Sequence, residues 1–425
     1  MKCTVLTLGC KVNAYESEYI KEKFKESNYE IVDLHDNPDV IVINTCTVTN
    51  QSDSKSRKMI RLAKKTNPNS IIVVCGCSSE NHKENIVDVD IDILIGSYYK
   101  SKIVELVEKY IKEKDKITSF VDMTTVDFED MKINNFQNQT RAFVKIQDGC
   151  NNFCSYCIIP YMRGNIRSKD IFVAYEEIKS LVDNGYQEIV LTGIHTGSYG
   201  TGENFDLVDL IRKISTLDKL KRIRISSIEI TELNDKFIKE LEINPKIVNH
   251  LHVPIQSGCN RILTLMNRKY QTDYFIEKIN KIRSIRPDMN FTTDLIVGFP
   301  TETDEDFKET IETLKEVKFS KIHTFPYSIR DNTPAATMKQ VNDSIKKSRV
   351  KTILELSDNL ESIYYNKFLN KEVLVLIEEV KDGISIGHTD NFIKVTIDKV
   401  LKPNTLYKVK ITNIVNKEVK GIIET

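Results

Sequence analysis

The chain has 425 residues, 29% of them charged, and its 61 Lys and Arg are balanced by 61 Asp and Glu. That length exceeds one compact core and asks for roughly two to four domains, while the zero net charge speaks against a chain coated throughout by nucleic acid and leaves room for a local basic groove. No apolar run reaches the roughly 20 residues of a membrane span, and nine cysteines without a secretory signal lead to the expectation of a soluble cytoplasmic protein with no membrane partner and reduced thiols.

Val5 to Leu8, Val40 to Asn44 and Ile71 to Cys75 are rich in β-branched residues, and amphipathic stretches follow near Tyr15 to Lys25 and Ser56 to Lys65. The alternation predicts an α/β fold with an N-terminal open parallel sheet. Each strand is followed almost at once by a cysteine: Cys10, Cys46 and Cys77. Ligands of open parallel sheets bind outside the carboxyl ends of the strands, so these thiols would meet there. On pattern alone, a metal-cluster site and three unrelated buried thiols both stay open. Cys3, Cys75 and Cys259 read as packing residues. Lys55, Arg57, Lys58, Arg61, Lys64 and Lys65 form a basic run on the second helix, either a solvated face or a set of phosphate contacts for RNA.

Asp122 to Gln139 is polar and without a steady period, and reads as a linker between a first domain (1–121) and a second (140–364). In the second domain, strand candidates at Ala142 to Ile146, Ile189 to Thr192, Arg222 to Ser226, His250 to Val253, Phe291 to Val297 and Lys321 to Phe325 alternate with helical stretches. Six βα units predict a partial (β/α)6 barrel with its chemistry at the strand carboxyl ends. Directly after the first of these strands come Cys150, Cys154 and Cys157, in CxxxCxxC spacing. Three thiolates on one short loop bind three irons of a [4Fe-4S] cube and leave the fourth iron without a protein ligand. Structural zinc prefers four ligands, and an unexported chain gives no reason for disulfides. After a helical stretch from Lys346 to Tyr364, five short strands broken by Gly, Asn and Pro predict a small C-terminal β-barrel (365–425) of the oligonucleotide-binding kind.

Three runs carry a family resemblance: Thr7-Leu8-Gly9-Cys10-Lys11-Val12-Asn13, Asn44-Thr45-Cys46-Thr47-Val48-Thr49, and Cys150 to Cys157 followed by Ile158-Ile159-Pro160-Tyr161. The chain resembles the radical S-adenosylmethionine (SAM) methylthiotransferases over essentially its whole length. The resemblance implies an N-terminal domain with three cluster cysteines, a radical SAM barrel and a C-terminal RNA-binding TRAM barrel. It implies two [4Fe-4S] clusters: one on Cys150, Cys154 and Cys157 that binds and reduces SAM, and one on Cys10, Cys46 and Cys77 that holds the sulfur to be transferred. The runs Leu191 to Gly200, Arg224 to Glu229, His250 to Gly258 and Thr293 to Pro300 are similar to the branch that methylthiolates carbon 2 of N6-threonylcarbamoyladenosine beside the tRNA anticodon. Sister branches act on isopentenyladenosine or on a ribosomal-protein aspartate, and a non-catalytic iron-sulfur RNA-binding protein is a remoter alternative. A tRNA anticodon stem-loop, a reductant protein and a sulfur donor are the partners this implies.

Around the SAM site, Tyr156 could stack on the adenine or serve as a core aromatic, and Gly193 could let backbone approach the methionine moiety. Gln256 could bond the cofactor or cap a loop, and His195 is given no proton-transfer role. Arg163, Arg167 and Arg330 are candidates to pair bidentately with a carboxylate on the modified base.

Overall fold

The computed structural model describes residues 1–136 and 140–423. Its N-terminal sheet has six parallel strands, in the order Glu30–Ile31, Lys2–Thr7, Val40–Thr45, Ile71–Gly76, Ile93–Ile95 and Ile117–Ser119. Val40–Thr45 and Ile71–Gly76 are buried along their whole length, as central parallel strands covered on both faces must be. Alternate residues feed two cores. Ile41, Ile43, Ile72 and Val74 pack on Ile60 and Ala63 of the helix Asn50–Thr66. Val40, Val42 and Val73 join Tyr15 and Ile20 of the helix Lys11–Glu26 in a core that continues into the central domain.

The central domain is the six-stranded partial barrel. Arg222–Ile225, Glu188–Thr192 and Arg141–Lys145 form one parallel trio, and His250–His252, Asn290–Val297 and Lys321–Pro326 the other. A bridge between Ile223 and Ile247 joins them into one arc. The arc stays open along one side, against which the N-terminal domain is packed by a buried ionic cluster. Glu16 of the first helix receives Arg163 at 2.6 Å, Lys145 at 2.9 Å and Lys100 at 3.2 Å, and Asp148 receives Lys145 at 2.6 Å. The linker is a strap and not a solvated tether: it carries neither helix nor strand over its described part, yet Met131, Ile133 and Phe136 are buried in the shared core. Its last residues, Gln137, Asn138 and Gln139, lie outside the described residues.

The long helix Asp343–Asn366 leads to a closed barrel of Glu372–Lys381, Ile384–Thr389, Lys394–Ile397, Glu418–Ile422 and Thr405–Val415, with its own core around Val375, Val395 and Ile411. This barrel seals the floor of the central one, at the amino ends of the strands. Arg222 donates to the carbonyls of Leu374 at 2.8 Å and His388 at 3.0 Å, and the Asn290 amide donates to the Asn391 carbonyl at 2.7 Å. Phe392 enters the floor and stacks on His250 and His388 at 5.0 and 4.7 Å. No helix among the described residues is long and apolar enough to cross a membrane.

Candidate active site

Parallel register puts Thr7 beside Asn44 and Asn44 beside Cys75, so three neighbouring strands of the N-terminal sheet end level and the residues beyond them converge. Gly9, at φ +107°, turns the chain there, and a Cβ on it would lie 2.8 Å from the Cys46 Cβ, a space only glycine leaves free. Cys10 then opens the helix Lys11–Glu26, Cys46 follows its strand directly, and Cys77 starts the helix Cys77–His82. Cys10, Cys46 and Cys77 line one wall of a chamber of about 440 Å³.

Cys150, Cys154 and Cys157 line the facing wall of the same chamber. Their loop is fastened by Gln147. Its amide donates to the Gly149 carbonyl at 2.7 Å, and its side-chain oxygen accepts the His195 backbone N–H at 2.7 Å, which ties the loop to the end of the second barrel strand. Each cysteine trio is served by a buried arginine. Arg163 Nε donates to Cys77 Sγ at 3.1 Å, while Arg268 donates to Cys154 Sγ at 3.3 Å and pairs with Glu229. Burial pushes the Cys46 thiol up to about 11, and burial followed by the neighbouring Cys154 pushes Cys157 up to about 12. A metal that bound them would have to displace the proton outright.

The donor chemistry suits iron-sulfur cubes better than a lone ion. Six thiols in two trios are soft ligands, and among the described residues no three His, Cys, Asp or Glu side chains close on a space fit for a single metal ion. A cube needs a wider spread of thiolates around iron and sulfide.

Several side chains singled out from sequence stand elsewhere than expected. Arg163 is fully buried and committed to Glu16, Asp148, Asn13 and Cys77, so it cannot reach a substrate carboxylate. Arg330 is 4% exposed and bonds Asp53, Thr47 and Asn50 across the domain junction. Arg167 faces inward, with NH1 on the Met123 and Asn165 carbonyls. Charge pairing with remote residues, invisible in a linear sequence, took Arg163 and Arg330, and backbone carbonyls took Arg167.

Gly193 does border the chamber, but a Cβ there would lie 2.8 Å from the Gln147 side-chain oxygen; the room it leaves is used by Gln147. Tyr156 lines the chamber with its ring edge-on to Phe299 at 6.5 Å. Gln256 also lines it, in a left-handed conformation at φ +62° with its backbone bonded to Asp294 and Ile296, a strain of the kind that collects at ligand sites. His195 pairs with Glu232 at 2.7 Å. Lys55 and Lys58 are exposed on the helix Asn50–Thr66, Arg57 is half-buried, and Arg61 pairs with Asp88 at 2.8 Å. Sequence reasoning missed Arg268, Glu229 and Gln147. Gln147 stands three residues before the first loop cysteine and Glu229 closes one of the family-like runs, whereas Arg268 carried no positional signal. A cleft of about 650 Å³, bordered by Cys10, Val48, Thr49, Phe325 and Ile329, opens the chamber to solvent between the two domains.

Comparison with known proteins is consistent with this geometry. Residues 144–314 match the Radical SAM superfamily, and residues 2–96 match a group described only as the uncharacterized protein family UPF0004. The chain is 44% identical over 399 residues to the threonylcarbamoyladenosine tRNA methylthiotransferase MtaB of Bacillus subtilis, covering 92% of this chain and 88% of that protein. It is 36% identical to MtaB of Aquifex aeolicus, with 92% and 96% covered. The tRNA-2-methylthio-N(6)-dimethylallyladenosine synthase of Hydrogenobaculum is 34% identical, with 92% and 91% covered. Among solved structures, the radical SAM methyltransferase TsrM from Kitasatospora setae superposes with a TM-score of 0.57 at 13% identity, covering 79% of this chain and 76% of that one, a likeness of fold alone.

Proposed function

Since this chain belongs to the MtaB-type radical SAM methylthiotransferases, we propose that it methylthiolates carbon 2 of N6-threonylcarbamoyladenosine at position 37 of tRNA, with SAM as both methyl donor and radical source. The observation that carries the reading is the meeting of two cysteine trios, from segments remote in sequence, across one chamber. On this reading residues 1–121 form the sulfur-delivering domain, 140–364 the SAM-cleaving barrel and 365–425 a TRAM-type RNA module.

Cys150, Cys154 and Cys157 would hold one [4Fe-4S] cluster, and Cys10, Cys46 and Cys77 a second. When bound, the first would supply the electron for reductive cleavage of SAM, and the second would supply a place for the sulfur to be transferred. The protein's own contribution is placement and charge. Gln147 fixes the loop that carries the first trio, while Arg268 and Arg163 each bring a cation to a sulfur in a dry setting where thiolate charge is otherwise costly. Tyr156, Gly193 and Gln256 border the space beside the first trio, where SAM would bind. The apolar rim of Val48, Phe325 and Ile329 around the cleft suits a base taken out of its stack. Lys55, Lys58 and Arg61 lie on the helix that starts at this rim and would hold the stem-loop phosphates.

A reductant protein and a sulfur donor complete the cycle, and the work on tRNA is placed in the cytoplasm. Mass spectrometry of tRNA nucleosides from a deletion strain tests the reading: loss of the 2-methylthio form of threonylcarbamoyladenosine supports it. Its persistence, or loss of methylthio-isopentenyladenosine instead, overturns it.

A further inference from the structure

The chamber does not end at the barrel's strand ends. Beneath it, inside the barrel, lies a second cavity of about 450 Å³. Its walls are the inward residues of the strands, among them His250, His252, Asp294 and His323, while Leu251 and Ile322 between them point away into the apolar core. Its floor is Phe392 of the C-terminal barrel. The two cavities share Asp294, and they divide a pair of adjacent residues of the N-terminal domain. Cys10 lines the upper one and Lys11 the lower.

Lys11 reaches this lumen through the open side of the barrel. It retains an exposed side chain and makes no ion pair among the described residues. The carboxylates nearby are already engaged. Asp294 is 3.3 Å from His252, Glu361 holds Lys321 at 2.9 Å, and Glu188 holds Arg224 at 2.6 Å. An ammonium without an ion-pair partner at the edge of this cavity favours an anionic ligand.

The reading above supplies an anion of the right kind. Carbon 2 of adenine and the N6 nitrogen flank the same ring edge, separated by N1 and C6, so a base whose carbon 2 lies at the cysteines sends its N6 substituent past them. A threonylcarbamoyl group ends in a carboxylate, whereas a dimethylallyl group carries no charge. The three arginines anticipated for that carboxylate are all committed elsewhere.

We propose that the barrel lumen is the pocket for the N6 substituent and that Lys11, with His323 lining the same cavity, takes the substituent's carboxylate and so sets specificity for a charged over an apolar group. This inference rests on the proposed substrate class and names the residues that recognise it.

The test uses anaerobically reconstituted full-length protein and three anticodon stem-loops, bearing at position 37 adenosine, N6-threonylcarbamoyladenosine, or its neutral carboxamide. Binding is followed by fluorescence anisotropy. Wild type should hold the carboxylate loop about tenfold more tightly than the carboxamide loop, the scale of one charge-assisted hydrogen bond. Lys11→Met should bring the two together and Lys11→Arg should keep most of the difference, with iron content and visible spectrum checked because Cys10 is adjacent. A second readout needs no variant: the carboxylate loop should protect Lys11 from acylation, read by mass spectrometry, and the carboxamide loop should not. Equal wild-type affinities for the two loops, an unchanged ratio in Lys11→Met, or equal Lys11 reactivity with both loops would overturn the assignment, as would a Lys11→Met defect confined to SAM binding. Formation of the methylthio product by wild type is scored separately, so failure of the pocket and failure of the proposed reaction are told apart.

Discussion

Arg163 shows how far one side chain can bind a molecule together. It joins Glu16 of the first domain to Asp148 of the second and donates to Cys77, with no surface exposed. Arg163→Met should cost about 3–5 kcal/mol in denaturant unfolding, because two carboxylates stay buried with their compensation reduced. A loss under about 1 kcal/mol, the scale of an exposed pair, would contradict the role given to it. Cys154→Ala is expected to abolish production of 5′-deoxyadenosine from SAM under reducing anaerobic conditions while the protein stays folded by circular dichroism. The loop cysteines were legible in sequence because their spacing is local. The carboxylate partners Glu16 of Arg163 and Asp53 of Arg330, and the Met123 carbonyl that Arg167 reaches, lie tens to hundreds of positions away, and no periodicity reports them.

At the scale of elements, the strand candidates read from sequence overlap all six barrel strands, and β-branched runs mark the three longest strands of the N-terminal sheet, two of which are buried along their whole length. The two-residue and three-residue strands Glu30–Ile31, Ile93–Ile95 and Ile117–Ser119 are too short for a period to register. Docking of the C-terminal barrel was equally unreadable, because it rests on backbone carbonyls and on Phe392 under His250. That contact carries a pH dependence. Burial, then the positive charge of Arg224, holds the His250 imidazole well below its usual range. Below about pH 6.5 the unfolded chain therefore takes up a proton that the folded one refuses. The stabilisation is present above that pH and is lost as pH falls. Urea unfolding at pH 7.5 and 5.5 should show a larger drop for wild type than for His250→Gln; equal drops would remove His250 as the cause. On the helix Asn50–Thr66, replacing Lys55 and Lys58 by Gln should weaken stem-loop binding and flatten the plot of log affinity against log salt by about 0.7–0.9 per lost phosphate contact. An unchanged slope would mark that face as merely solvated.

For the whole molecule, the arrangement on either side of the chamber predicts its iron content. Anaerobically reconstituted protein should carry about eight irons, and a Cys150/Cys154/Cys157 triple alanine variant about four. Zinc in their place, or a colourless protein, would end the two-cluster reading. Parallel topology made convergence of Cys10, Cys46 and Cys77 foreseeable from sequence, and the resemblance to a two-cluster family put a second trio opposite them, whereas nothing in the linear order disclosed that a hollow would continue below.

The charged weld of Glu16, Lys100, Lys145, Asp148 and Arg163 between the domains has a further bearing on how turnover proceeds. Prising the halves apart would strand bare charges in a dry seam, so opening the junction to admit cargo is strongly disfavoured. On the proposed reading, position 37 would leave the anticodon loop and enter through the existing cleft with its N6 substituent leading. Tempo would then be set by how readily each tRNA surrenders that nucleotide, and loops with weak stacking around it should be processed fastest.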